Sequence, residues 1–208
     1  MPATKSAAKA SYDVHPSLAM FQSSLAGLKQ KTGRTLDEWI KFVEKEGPPT
    51  EKERREWLKR KHGLGMNYAW WVAERSVGKG DDGTPETYLK QADEHVEKMY
   101  AGAKEALRPI YEALLTLGRG LGKDVKVCPC QTMVPLYRKH VFAQIKPTTR
   151  TRIDLGLALK DAKVPKRLID TGGFAKKDRI THRIEISSLK DIDAEVKKWI
   201  KTAYEMDR

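Results

Sequence analysis

Residues 152–159 read Arg152-Ile153-Asp154-Leu155-Gly156-Leu157-Ala158-Leu159. Large apolar side chains take every second position, so a strand made from them has one face to bury and one to leave in water, the pattern of an antiparallel sheet covered on a single side. The same period of two recurs at Val125 and Val127, at Met133 through Tyr137, at Val141, Ala143 and Ile145, and at Ile180, His182, Ile184 and Ile186. Outward from these strands the period lengthens to that of a helix. Pro85 to Leu117 places Tyr88, Val96, Met99, Leu107, Ile110 and Leu114 on inward positions, with Pro109 expected to bend or divide the helix. Asp191 to Tyr204 does the same with Ile192, Val196, Trp199, Ile200 and Ala203. Helices flanking a meander of antiparallel strands make an α+β domain.

The first third of the chain reads as helix throughout. Thr35 with Glu38, and Thr50 with Glu53, each set a hydroxyl three residues ahead of a carboxylate, the capping-box spacing that opens a helix. The first of these helices should stop at Gly47-Pro48-Pro49 and the second at Gly63, and Met66 should open a third. Before them Leu18, Phe21, Leu25 and Leu28 recur at helical spacing from Pro16. The expected organisation is a disordered tail over 1–15, an all-helical domain over 16–77, a glycine-rich linker over 78–86 and the α+β domain over 87–208.

The 208 residues carry a formal charge of +12, a field that attracts phosphate-rich or other acidic partners. Between Lys123 and Arg183, fifteen Lys and Arg stand against five Asp, so the excess is concentrated in the strand domain. Cys128 and Cys130 are too close in sequence for an unstrained mutual disulfide, which suits a reducing cytoplasm. No apolar run is long enough to span a bilayer and the first residues lack a signal-peptide core, so cytoplasmic location without a membrane partner is expected.

Three features carry the functional reading. Gly63-Leu64-Gly65-Met66, preceded by Lys59-Arg60-Lys61 and followed by Ala69 and Val72, resembles the turn of a helix-hairpin-helix, where amides opening the second helix receive a phosphate oxygen. Arg138-Lys139-His140 reads as a hairpin tip, Lys146 to Arg152 as a basic connection, and Lys176-Lys177-Asp178-Arg179 as a loop. His182, beside Arg183, lies on the apolar parity of its strand, where it is either a core histidine or part of a pocket under Gly172-Gly173.

No nucleophile elbow, metalloprotease helix or dinucleotide fingerprint occurs, and Asp154, Asp170 and Glu185 lack the following lysine of a metal nuclease. No catalytic residue, metal or cofactor is therefore expected. The leading expectation is a non-enzymatic protein that binds DNA, RNA or another polyanion through backbone phosphates. The residues assigned to this are Lys59, Arg60, Lys61, Gly63, Gly65, Met66, Arg138, Lys139, Lys176, Lys177 and Arg179. The alternative is a module for a small anionic ligand or a protein, built on Gly172, Gly173, His182 and Arg183.

Thr32-Gly33-Arg34-Thr35, Glu38-Trp39, Trp57-Leu58 and Lys61 to Gly65 resemble a short helical bacterial domain of unknown function. Tyr137-Arg138, Phe142 to Pro147, Leu155-Gly156-Leu157 and His182-Arg183-Ile184 resemble a second domain of unknown function, one that also occurs in predicted transport proteins. The resemblance implies a two-domain architecture and no activity. A distant likeness of the second domain to frataxin-like iron chaperones implies the small α+β fold alone, since the acidic ridge of those proteins has no counterpart in this basic segment.

Overall fold

The computed structural model describes residues 12–80 and 83–208. The expected tail up to residue 11, and linker positions 81 and 82, lie outside the described residues. The chain divides into two compact units: Pro16–Tyr88, and residues 12–15 together with Leu89–Arg208.

The first unit is made of α1 (Pro16–Ala26), α2 (Leu28–Thr32), α3 (Leu36–Glu46), α4 (Glu51–His62) and α5 (Met66–Arg75). Both capping boxes form, with Thr35 accepting from the Glu38 amide and Thr50 from that of Glu53. The expected helix from Pro16 is interrupted at Gly27, which leaves Leu28 free to enter the core. Leu28, Trp39, Val43, Leu58, Leu64, Ala69, Val72 and Ala73 form that core. Gly63 ends α4 at φ 66°, a left-handed conformation that costs a side-chain-bearing residue about 1 kcal/mol or more. It turns the chain so that the Leu64 amide reaches back to the Leu58 carbonyl at 3.2 Å.

The second unit departs from the expected single long helix. α6 (Pro85–Met99) stops ten residues before Pro109, and a 3-10 helix follows over Gly102–Leu107. α7 (Arg108–Arg119) then starts with Pro109 in its first turn. An amide there has no helical partner to lose, so the proline opens a helix instead of bending one.

Six strands follow: β1 (Lys126–Val127), β2 (Val134–Tyr137), β3 (Val141–Pro147), β4 (Ile153–Leu157), β5 (Ile169–Asp170) and β6 (His182–Ile186). They pair antiparallel in the order β1-β2-β3-β4-β6-β5, and α8 (Ala194–Met206) closes the unit. β5 is too short and exposed to show an alternating pattern, which is why periodicity misses it. Across the four central strands Val134, Ile145, Leu155 and Ile184 align in one fully buried row. That row joins Ile110, Leu114, Val196 and Ile200 of α7 and α8 in the core. Gly118 brings α7 close to the sheet, where an added Cβ would stand 2.5 Å from Leu136.

The tail ends sooner than expected. Asp13 exchanges two bonds with Val127, from its amide to the carbonyl and from the Val127 amide to its carboxylate, both 2.8 Å. Tyr12 meets the Tyr111 hydroxyl at 3.0 Å and His15 the Tyr137 hydroxyl at 2.8 Å. These contacts are polar and 99 or more residues away in sequence, so hydrophobic patterning gives no sign of them.

Leu155→Ala removes the middle of the buried row and should lower unfolding stability by about 2–5 kcal/mol. A urea midpoint unchanged from wild type would contradict this placement.

Candidate functional site

The α4–α5 turn sets out most of the residues assigned to it. Lys61, Gly63, Gly65 and Met66 are exposed, and Met66 keeps 70% of its surface. Gly65 opens α5 in an extended conformation without any side-chain cap. Lys59 pairs with Glu56 at 3.2 Å and Arg60 approaches the same carboxylate at 4.0 Å, so of the three cations upstream Lys61 alone has no acidic neighbour. Trp70 is 43% exposed and, with Arg55, Glu56, Lys59, Met66 and Asn67, lines a groove, whereas Trp71 stands edge-on to Phe21 and Tyr68.

Beneath this turn lies a cluster that sequence reasoning missed. His62 is edge-on to Trp57, Phe42 and Trp39 at centroid distances of 4.4, 5.2 and 5.6 Å, and the Arg34 guanidinium sits 4.0 Å over Phe42. The His62 Nε2 atom is buried with no hydrogen-bond partner. Desolvation, then Arg34 and Lys61, lower its pKa.

In the α+β unit the hairpin tip and the 176–179 loop converge on the end of α8. Arg138 donates to Asp124 at 2.7 Å and lies 4.3 Å over the Tyr204 ring. Arg179 donates to Asp207 at 2.8 Å, and the His140 ring meets the same carboxylate at 3.0 Å. The Tyr204 hydroxyl and then Arg138 hold the Asp124 carboxyl below the usual carboxylate range. Arg138 and Arg179 thus brace the fold, while Lys139, Lys176 and Lys177 extend from it exposed.

The four residues of the alternative pocket do not converge. Gly172 has φ 68°, but its amide is bonded to Asp170 at 2.7 Å and that of Gly173 to Thr171 at 3.2 Å, so neither is offered to an anion. His182 is buried in register with Leu157, its Nδ1 2.9 Å from the Thr181 hydroxyl. Arg183 points to the opposite sheet face and pairs with Asp154 at 2.7 Å and Glu185 at 3.1 Å. Arg152 approaches Asp154 at 2.9 Å, near enough for charge pairing but at an angle that makes no hydrogen bond, and Glu185 at 2.9 Å. Of the three carboxylates considered for a metal nuclease, Asp154 and Glu185 are paired with arginine and Asp170 accepts from the Gly172 amide, and no group of three or more ligating side chains occurs among the described residues. Cys128 and Cys130 are free, and burial pushes the Cys128 thiol up to about 12, which leaves it unreactive.

A further site emerges that the sequence reading did not assemble. A cleft of about 570 Å³ is lined by Lys98, Lys104, Lys146 and Arg150, with Gln131, Thr132 and Thr148 between them and no carboxylate in its wall. The Lys104 ammonium is anchored on the Pro147 carbonyl. Lys98 keeps an exposed Glu94 at 3.8 Å, a separation worth little in water. Lys146 and Arg150 fall in the basic connection, but Lys98 comes from the end of α6 and Lys104 from the 3-10 helix after it, more than forty residues earlier, and only the folded chain joins them.

Residues 96–207 match the family model for a domain of unknown function, DUF5655, and residues 20–75 that for another, DUF4287. Neither description includes the transport association that the resemblance suggests. Neither a curated protein nor a solved structure matches the chain. No helix among the described residues is long and apolar enough to cross a membrane.

The histidine beneath the turn gives a pH dependence with a definite sign. A folded-state pKa below the unfolded 6.5 means that the unfolded chain binds the extra proton, so stability falls as pH drops from about 6.5 toward the folded value. Comparison of melting at pH 7.5 and 5.5 should show a smaller acid loss in His62→Gln than in wild type; equal losses would remove His62 as the cause.

Proposed function

The chain belongs to the DUF5655 family, and we propose that it is a non-enzymatic protein that binds the phosphate backbone of nucleic acid. The observation that supports this best is the cleft of Lys98, Lys104, Lys146 and Arg150, where four cations face a common space with no acidic side chain in the wall. Repulsion among them is relieved when phosphates enter, and the neutral Gln131, Thr132 and Thr148 supply hydrogen bonds to phosphate and sugar oxygens. No aromatic side chain lines the cleft, so it grips backbone and leaves bases unread. The exposed lysines 139, 176 and 177, and Lys61 with the uncapped start of α5, add sequence-independent attraction. The free thiols of Cys128 and Cys130 suit work in a reducing cytoplasm.

Four phosphate contacts predict that log Kobs falls with log salt at a slope of about −2.8 to −3.6, at about 0.7–0.9 per phosphate. Lys146→Gln/Arg150→Gln should weaken binding of a single-stranded oligonucleotide or a duplex at every sequence tested and bring the slope to about half. Absence of binding by wild type at about 50 mM salt, where such contacts are strongest, would end the proposal, as would a slope that the double variant leaves unchanged.

A further inference from the structure

A different cavity in the α+β unit has another chemistry. It encloses about 520 Å³ between the 174–181 segment and the end of α8, a size usual for small-molecule sites. Ala158, Ala175, Phe174 and Met206 give it apolar surface, and Phe174 and Met206 are 58% and 36% exposed although both are large and hydrophobic. Lys160, Lys177 and Arg179 supply three cations against the carboxylates of Asp178 and Asp207, so the wall keeps one positive charge. Asp207 already binds Arg179 and the His140 ring, and the uncommitted cations are the two lysines.

Those lysines share a second property. Among the described residues, Lys160 at φ 54° and Lys177 at φ 60° are the only non-glycine residues with a left-handed backbone, and both line this one cavity. Such residues persist where the surrounding structure over-determines them, and they cluster at ligand sites. For Lys177 the constraint is visible: its amide bonds the Phe174 carbonyl at 3.1 Å while the next amide, of Asp178, bonds that of Gly173 at 2.8 Å. Glycine would hold either turn without strain, so the backbone gives no reason for lysine. The polar wall is also fixed from behind, since the Thr181 hydroxyl accepts from the Leu159 amide at 3.1 Å and meets the buried His182 at 2.9 Å. His182 thus stands behind the cavity wall and orients the threonine that lines it.

We propose that this cavity binds a soluble organic monoanion, a carboxylate on a compact apolar body, with Lys160 and Lys177 on the carboxylate and Phe174 and Met206 on the body. The single net charge sets this site apart from the four-cation cleft, which suits consecutive phosphates.

The test uses the full chain with 4-phenylbutyrate as probe and acetate as the charge-only control. 4-Phenylbutyrate should raise the melting temperature in a concentration-dependent way and acetate should not. Lys160→Gly/Lys177→Gly should melt no lower than wild type, because released strain offsets the flexibility of glycine, yet lose about tenfold or more in affinity with the two charge-assisted bonds. Phe174→Ser, at an exposed position, should weaken the probe and leave the melting temperature of the free protein unchanged. Lys146→Gln/Arg150→Gln should bind the probe as wild type does, which keeps this result separate from nucleic-acid binding. The proposal is overturned by no shift with 4-phenylbutyrate, by equal shifts with acetate, by undiminished affinity in the double glycine variant, or by binding to anionic phosphatidylglycerol vesicles without binding to the soluble probe.

Discussion

The row Val134, Ile145, Leu155 and Ile184 governs the sheet of the α+β unit, because the charged strand positions Lys146, Asp154 and Glu185 are set by its register. Side chains alternate along a strand, so burying this row under α7 and α8 forces the neighbours Lys146, Asp154 and Glu185 onto the other face. A one-residue slip would bury three charges and expose the core. The register that excludes water from the core is thus the same register that sets Lys146 beside the Lys98–Lys104 segment and stacks Asp154 against Glu185. Stability and surface chemistry are one constraint read from two sides of a sheet.

Arginine and lysine have been put to different uses. Arg54, Arg108, Arg138, Arg152, Arg167, Arg179 and Arg183 each hold a carboxylate or a backbone carbonyl within the fold. The planar guanidinium forms several directed bonds at once, so it makes the better internal brace. Among the lysines of the cleft and the cavity rim, Lys104 is held by a carbonyl and Lys98 by one exposed carboxylate, and Lys146, Lys160 and Lys177 carry compact point charges without a carboxylate brace. A formal charge of +12 therefore overstates the uniformity of the field: much of the arginine component is cancelled within a few ångströms, and the available positive charge is largely lysine.

The helices with capping boxes and the strands with strict alternation were legible because both signals are local: Thr50 and Glu53 lie within one turn, and Ile153 to Leu157 lie on one strand. Pro109 was legible as a discontinuity but not as a helix start, since what ends α6 is the chain's turn before Gly102, at φ 57°. Strand β5 carries two exposed residues and has no pattern to read. Of the site residues, the sequence supplied the basic segments without their partners. Nothing near Arg138 announces Asp124 or Tyr204, and nothing near Arg179 announces Asp207. The cleft joins positions 98 and 150, and the strained lysines reveal themselves only through dihedral angles. Charge is visible in one dimension, whereas neutralisation and convergence belong to three.

Residues 12–15 lie along the strand unit although the whole helical unit follows them in the chain. The α+β unit is therefore closed by pieces from both sides of an inserted domain. During synthesis Asp13 is made early and its partner Val127 follows 114 residues later, so this edge of β1 is completed after the intervening helices have emerged. Loop closure across such a separation costs only slowly increasing entropy but delays the contact. A fragment beginning at Leu89 would lack the Asp13 carboxylate at Val127 and the Tyr12 hydroxyl at Tyr111, and would present an open sheet edge to other chains. The short polar strap thus covers this edge of β1 only in a chain that carries both residues 12–15 and the strands.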